Sequence, residues 1–134
     1  MMRAIGNTVL AAVLITVAGA CTTSEDPDRT VEIGIRHSRF EPGRVVVRPG
    51  EEVLFVIRNR DPIAHEFILG DEAVQQVHEY GTEAHHGAKP GEVSVAAGGF
   101  AETTYTFEGP GTLIFGCHLP GHYDYGMRGT VRIA

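Results

Sequence analysis

At 134 residues the chain has room for one domain of ordinary size and not for two. Apolar residues make up 43%, and 17 glycines and 7 prolines with no tryptophan favour short strands between many turns over long helices. The formal charge of −6 gives a surface that repels nucleic acid and anionic lipid, which sets aside a DNA- or RNA-binding role.

Residues 1–20 read as an export signal rather than as part of the domain. Arg3 and the amino terminus give a weakly basic start, residues 9–20 are apolar but for Thr16, and Ala18-Gly19-Ala20 is a small-residue cleavage site. Even counted from Ala4 the segment falls short of the roughly 20 apolar residues a spanning helix needs, and Gly6-Asn7-Thr8 interrupts it. A permanent membrane span is therefore the weaker reading. Beyond residue 20 the balance is 10 basic against 17 acidic residues, or −7.

Cys21 follows the cleavage site and opens a polar tether over residues 21–30. Small residues, a cysteine and a polar run resemble the lipobox of bacterial lipoproteins. That resemblance implies an acylated Cys21 and a protein held by lipid in the cell envelope, in the periplasm or at the outer surface. Ala18 stands where the lipobox prefers leucine, and plain secretion by a cut at the same bond is the alternative. The chain has 2 cysteines, so a lipidated Cys21 leaves Cys117 without a disulfide partner. A lone thiol in an oxidising compartment points to metal ligation.

Residues 31–134 form the expected domain. Period-2 runs recur at Val31-Ile33-Ile35, Val45-Val47, Val53-Phe55-Ile57, Phe67-Leu69, Val93-Val95, Thr103-Tyr105-Phe107, Leu113-Phe115 and Val131-Ile133. Each places its side chains on one face of a strand. Turn formers such as Arg48-Pro49-Gly50, Asp61-Pro62 and Gly109-Pro110-Gly111 separate the runs. Eight short strands so punctuated predict an all-β fold, an antiparallel Greek-key sandwich or barrel.

Residues 70–90 break the strand rhythm with a stretch rich in His, Glu and Gly, of which residues 72–80 suit a short helix. Inserts this long inside a compact domain are uncommon and are often functional or mobile. His78, His85 and His86, among Asp71, Glu72, Glu79 and Glu83, are candidate ligands for a second copper or zinc ion. A solvated loop with incidental histidines is the alternative.

Strand parity also aims the residues of the last loop. His65 shares parity with Phe67 and Leu69, Cys117 with Leu113 and Phe115, and Met127 with Val131 and Ile133, so all three are expected to point inward at strand ends. Two imidazoles, a thiolate and a thioether from His65, His122, Cys117 and Met127 form a His₂Cys set with a weak axial sulfur, which suits copper. Methionine is a poor ligand for zinc, which makes it the discriminating residue. The spacing Cys-x₄-His-x₄-Met lets one tight loop fix three ligands while the scaffold supplies the fourth. His118 has the opposite parity to Cys117 and is expected to face solvent or to lie behind the ligands, and His37 is assigned no role.

The segments Phe40-Glu41-Pro42, "VVVRPGEEVLFVIRN", "AHEFILG" and the loop from Cys117 to Met127 fall in the order of a cupredoxin. The sequence resembles that family, which includes plastocyanin and azurin, over nearly all of residues 31–134. The resemblance implies an eight-stranded Greek-key sandwich holding one type 1 copper on His65, Cys117, His122 and Met127. It also implies an electron carrier for partner redox proteins and no enzyme activity. Copper sequestration, delivery or resistance through the His-rich insert is the alternative function. The loop is similar as well to a segment of multicopper oxidases, but Gly116 precedes the cysteine and no His-x-His occurs, so oxygen reduction is not expected. Glu66 follows His65 where plastocyanin and azurin carry asparagine, and Asn59 or a backbone amide is the expected substitute for its hydrogen bond.

Overall fold

The computed structural model describes residues 26–81, 86–87 and 89–134. Nine strands and one helix are present among them. The strands are β1 (Arg29–Ile35), β2 (Phe40–Glu41), β3 (Arg44–Val47), β4 (Glu52–Asn59), β5 (His65–Gly70), β6 (Glu92–Val95), β7 (Phe100–Thr106), β8 (Gly111–Gly116) and β9 (Arg128–Ile133). The helix, α1 (Glu72–Glu79), lies between β5 and β6.

The strands form two sheets, ordered β2-β1-β4-β7 and β3-β9-β8-β5-β6, between which the chain repeatedly crosses. The all-β sandwich read from the sequence is present, with two differences. The ninth strand, β2, is 2 residues long and too short to show alternation. The sheets are mixed rather than antiparallel: β1 runs parallel to β4, and β3 to β9. The hairpin partner β2 and one excursion to the other sheet, β3, separate β1 from β4, and alternation within a strand carries no information about its partner's direction.

Between the sheets lies a core whose centre is aromatic. Phe67 stacks on Phe115 at 5.3 Å, and Phe40 meets both rings edge-on. Phe55 and Phe107 extend the cluster toward the opposite sheet. His65, Cys117 and Met127 are buried to the same degree as these rings. The ligand candidates are thus part of the core wall.

All six residues of β5 are buried, which one sheet face alone does not explain. The outer face of β5 is covered by α1, whose Val74 sits so close over Gly70 that a Cβ there would meet it at 2.6 Å. Asp71 caps the helix by accepting from the Val74 amide at 2.9 Å. Gln75, buried beneath the helix, donates to Ile68 O at 3.1 Å and Ile114 O at 3.0 Å, pinning α1 across β5 and β8. The first part of the insert is therefore helical and docked, as residues 72–80 suggested.

Candidate metal centre

At one pole of the sandwich β5 begins at His65, β8 ends just before Cys117, and β9 begins just after Met127. The loop between the last two closes on itself. Cys117 N donates to Met127 O at 3.1 Å, Met127 N to His122 O at 3.0 Å, and His122 N to Leu119 O at 2.9 Å. Gly121 at φ 79° and Gly126 at φ 90° supply the left-handed turns this closure needs.

Cys117 Sγ lies 3.5 Å from His122 Nδ1 and 3.9 Å from His65 Nδ1. One donor atom from each of the three residues falls within 4.8 Å of the others. Met127 is buried at the loop's end, tied to Cys117 through the backbone. His65 and Cys117 are buried as well, while His122 is partly exposed. The structure thus brings the four expected residues to one pole.

Hydrogen bonds orient the donors. His65 Nε2 lies 2.9 Å from Asp61 Oδ2, which leaves Nδ1 for the thiol side. Asp61 in turn accepts from the amides of His37 and Ser38, both at 2.7 Å. Burial pushes the Asp61 carboxyl up, but the amides of Ser38 and His37 and the His65 ring outweigh it and hold the group below its ordinary range. Burial lowers His65, against the opposing pull of Asp61. The Cys117 thiol is pushed up, first by burial, although amides of Leu119 and Glu66 favour its anion.

The Glu66 amide donates to Cys117 Sγ at 3.3 Å, so a backbone amide does supply the expected bond to sulfur. Asn59 does not; its side chain donates to Ile63 O and Ala96 O and accepts from Asp61 N, which shapes the loop before His65. Asp61 itself escaped the sequence reading because Asp-Pro there has the form of an ordinary turn. Its place four residues before an inward histidine was the usable signal.

His118 is not solvent-facing. Its side chain is 2% exposed, lies 2.7 Å from Glu79 Oε2 and 2.8 Å from Gln75 Oε1, and stacks on Tyr123 at 4.7 Å. Helix α1 covers the face to which parity sends it. His37 is exposed and contributes only its backbone.

A second group forms beside this helix. His78 and His86 each direct a ring nitrogen at Glu92 Oε2, at 3.3 and 3.6 Å, and their rings lie 5.0 Å apart. Of the three insert histidines read as ligands, His78 and His86 are thus brought together, whereas His85 lies outside the described residues, as does Cys21. Glu92 lies beyond the insert in β6 and was missed for that reason.

A thiol and two imidazoles turned toward one another, with a buried methionine at the loop's end, suit copper and place the molecule among copper-binding proteins of cupredoxin fold. Residues 28–134 match the model of copper binding proteins of the plastocyanin/azurin family, and the chain belongs to that family. It is 41% identical to the copper-resistant cuproprotein CopI of Rubrivivax gelatinosus over 77% of this chain and 65% of that protein. The chain thus spans just under two thirds of this relative. It is 30% identical to the CopI of Pseudomonas aeruginosa, over 78% of this chain and 76% of the relative. Among solved structures auracyanin B superposes with a TM-score of 0.69 at 21% identity, covering 82% of this chain and 91% of auracyanin B, a likeness of fold.

Proposed function

We propose that the chain is a type 1 copper protein that carries single electrons between redox proteins outside the cytoplasm. The observation that carries this reading is the meeting of buried Cys117 Sγ with two imidazole Nδ1 atoms at the strand ends. Copper bound there would alternate between its two oxidation states. The chain's part is to hold the donors still: a hydrogen-bonded loop fixes Cys117, His122 and Met127, and Asp61 fixes His65. Buried His65, Cys117 and Met127 exclude water, and half-exposed His122 marks the side a partner would meet. Leu119, Pro120 and Tyr125, the last 86% exposed, supply an uncharged rim there. Tyr123 belongs instead to the packing over His118.

Copper tolerance is the second reading, favoured by the names of the two CopI relatives and by the convergence of His78, His86 and Glu92. On it the chain sequesters or delivers the ion, and an export signal with a lipidated Cys21 would keep it in the cell envelope.

Visible absorption and electron paramagnetic resonance of the Cu(II)-loaded chain, beside Cys117→Ser, test the first reading. An intense thiolate-to-copper band with narrow hyperfine splitting, absent from the variant, is expected. A pale cupric spectrum indifferent to Cys117 would overturn it. Removal of copper by a chelator within seconds, slowed when residues 70–90 are deleted, would favour handling over electron transfer.

A further inference from the structure

The cluster beside α1 has the preparation of a metal site as well as the residues of one. His78 Nδ1 lies 2.8 Å from Val74 O, one turn back in the helix. A carbonyl only accepts, so Nδ1 carries a proton, and Nε2 is the nitrogen turned toward Glu92. His86 presents Nδ1 toward the same Glu92 oxygen and Nε2 toward Glu66 Oε1 at 3.5 Å. Each imidazole thus turns one nitrogen toward Glu92 and the other toward an oxygen, Val74 O for His78 and Glu66 Oε1 for His86, the arrangement that orients metal-bound histidines.

The surroundings agree. His86 is fastened to β6, its amide donating to Ser94 Oγ at 2.8 Å and its carbonyl accepting from Ser94 N at 3.0 Å. Glu66 and Glu92 are both buried, at opposite nitrogens of the His86 ring, and burying two carboxylates around one imidazole is costly unless cations share the space. Lys89 Nζ, 3.7 Å from Glu92 Oε2, is the rim cation; its side chain is mostly exposed and free to swing away. A cavity of about 180 Å³ lined by Glu66, His78, His86 and His118 adjoins the group, room enough for a hydrated ion.

The geometry points to a second metal site at His78, His86 and Glu92 for a divalent borderline cation, Zn²⁺ or Cu²⁺, coupled to the Cys117 centre through Glu66. Two imidazoles and a carboxylate without sulfur select such cations over soft Cu⁺. Three protein ligands beside a cavity leave a position for water, as in exchangeable rather than closed structural sites. Glu66 is the link because both ends of it are engaged. Its carboxylate faces His86 and accepts from His118 N at 3.3 Å, while its amide donates to Cys117 Sγ. A cation bound on the far side of His86 draws the Glu66 carboxylate, and with it the amide on the sulfur. Coupling of this kind is reciprocal, so copper at Cys117 also alters affinity for the second ion. The inference deepens the copper-tolerance reading and rests on it, but it needs the Cys117 centre only for its coupling.

The test is calorimetric titration of Zn²⁺ into the full chain already carrying one copper, with Glu92→Gln and His78→Gln beside the wild type. Both substitutions keep size and polarity, and thermal melts check that the variants fold. One Zn²⁺ per chain is expected, with affinity at least 10-fold weaker in either variant. Zinc that fails to bind, or that binds equally to all three proteins, overturns the site whatever colour the copper centre has. The coupling is read in the reduced, diamagnetic protein, where Zn²⁺ is expected to move the Glu66 and His118 amide resonances. Zinc bound with those resonances unmoved overturns the coupling.

Discussion

Asp61 and His65 are both buried, and the Asp61 carboxylate that lies 2.9 Å from His65 Nε2 also gathers the amides of His37 and Ser38. One side chain thus ties a metal-facing imidazole to the turn between β1 and β2. Carboxylates that orient ligand histidines typically contribute about 10–100-fold in metal affinity. Asp61→Ala is expected to weaken copper binding by that order, read by competition with a chromophoric chelator. Unchanged affinity in a folded variant would restrict Asp61 to the turn.

The same pair sets the acid stability of the metal-free protein. His65 in the fold lies below its ordinary 6.5, so the unfolded chain takes up that proton first and stability falls as pH drops below that value. Asp61 lies below its ordinary 3.8, so its contribution is complete above 3.8 and is lost as pH falls through the lower folded value. Denaturation midpoints measured against pH are expected to decline first below about 6.5 and again below about 3.8. His65→Gln should remove the first decline and keep the second.

Strand phase carried most of the fold and the four-residue centre, because period 2 reports which face each side chain occupies. His65, Cys117 and Met127 stand inward as their parity with Phe67, Phe115 and Val131 requires. What parity leaves open is what covers the outer face. His118 points away from Cys117 as expected, yet that direction leads under α1 rather than into water. Glu92 shows the complementary gap: its register opposite Ile68 sets it beside the insert histidines, and pairing between distant strands leaves no mark in a local pattern. Parallel pairing of β1 with β4 was illegible for the same reason.

Gly129 lies opposite Phe115 in the β8–β9 pairing. A Cβ at Gly129 would collide with the Phe115 ring and meet Gly43 O at 2.7 Å. Neither neighbour yields easily, since the ring is wedged between Phe40 and Phe67 and the carbonyl accepts from Thr130 N at 3.0 Å. Gly129→Ala is expected to destabilise by about 1–3 kcal/mol, in the range for overpacked cores. Chemical denaturation measures it, and Gly50→Ala is no suitable control because Gly50 has φ 81°. Gly87→Ala, where a Cβ would meet nothing within 4 Å, serves instead and should change little.

Gln75 holds the insert to the sandwich through its amide, whose nitrogen serves Ile68 O and Ile114 O while its oxygen lies 2.8 Å from His118 Nε2. Shape and hydrogen bonding can be separated here. Gln75→Leu keeps most of the volume and leaves two carbonyls without their donor, each costing about 1–3 kcal/mol when buried. Gln75→Glu keeps the shape but turns an oxygen toward those carbonyls, so it should be at least as harmful at neutral pH. If packing alone held α1, the leucine variant would instead match or exceed the wild type. Urea denaturation separates the two outcomes. Hydrogen exchange of the α1 amides locates the loss, since releasing Gln75 frees the helix from β5 and β8 while the core between the sheets stays intact.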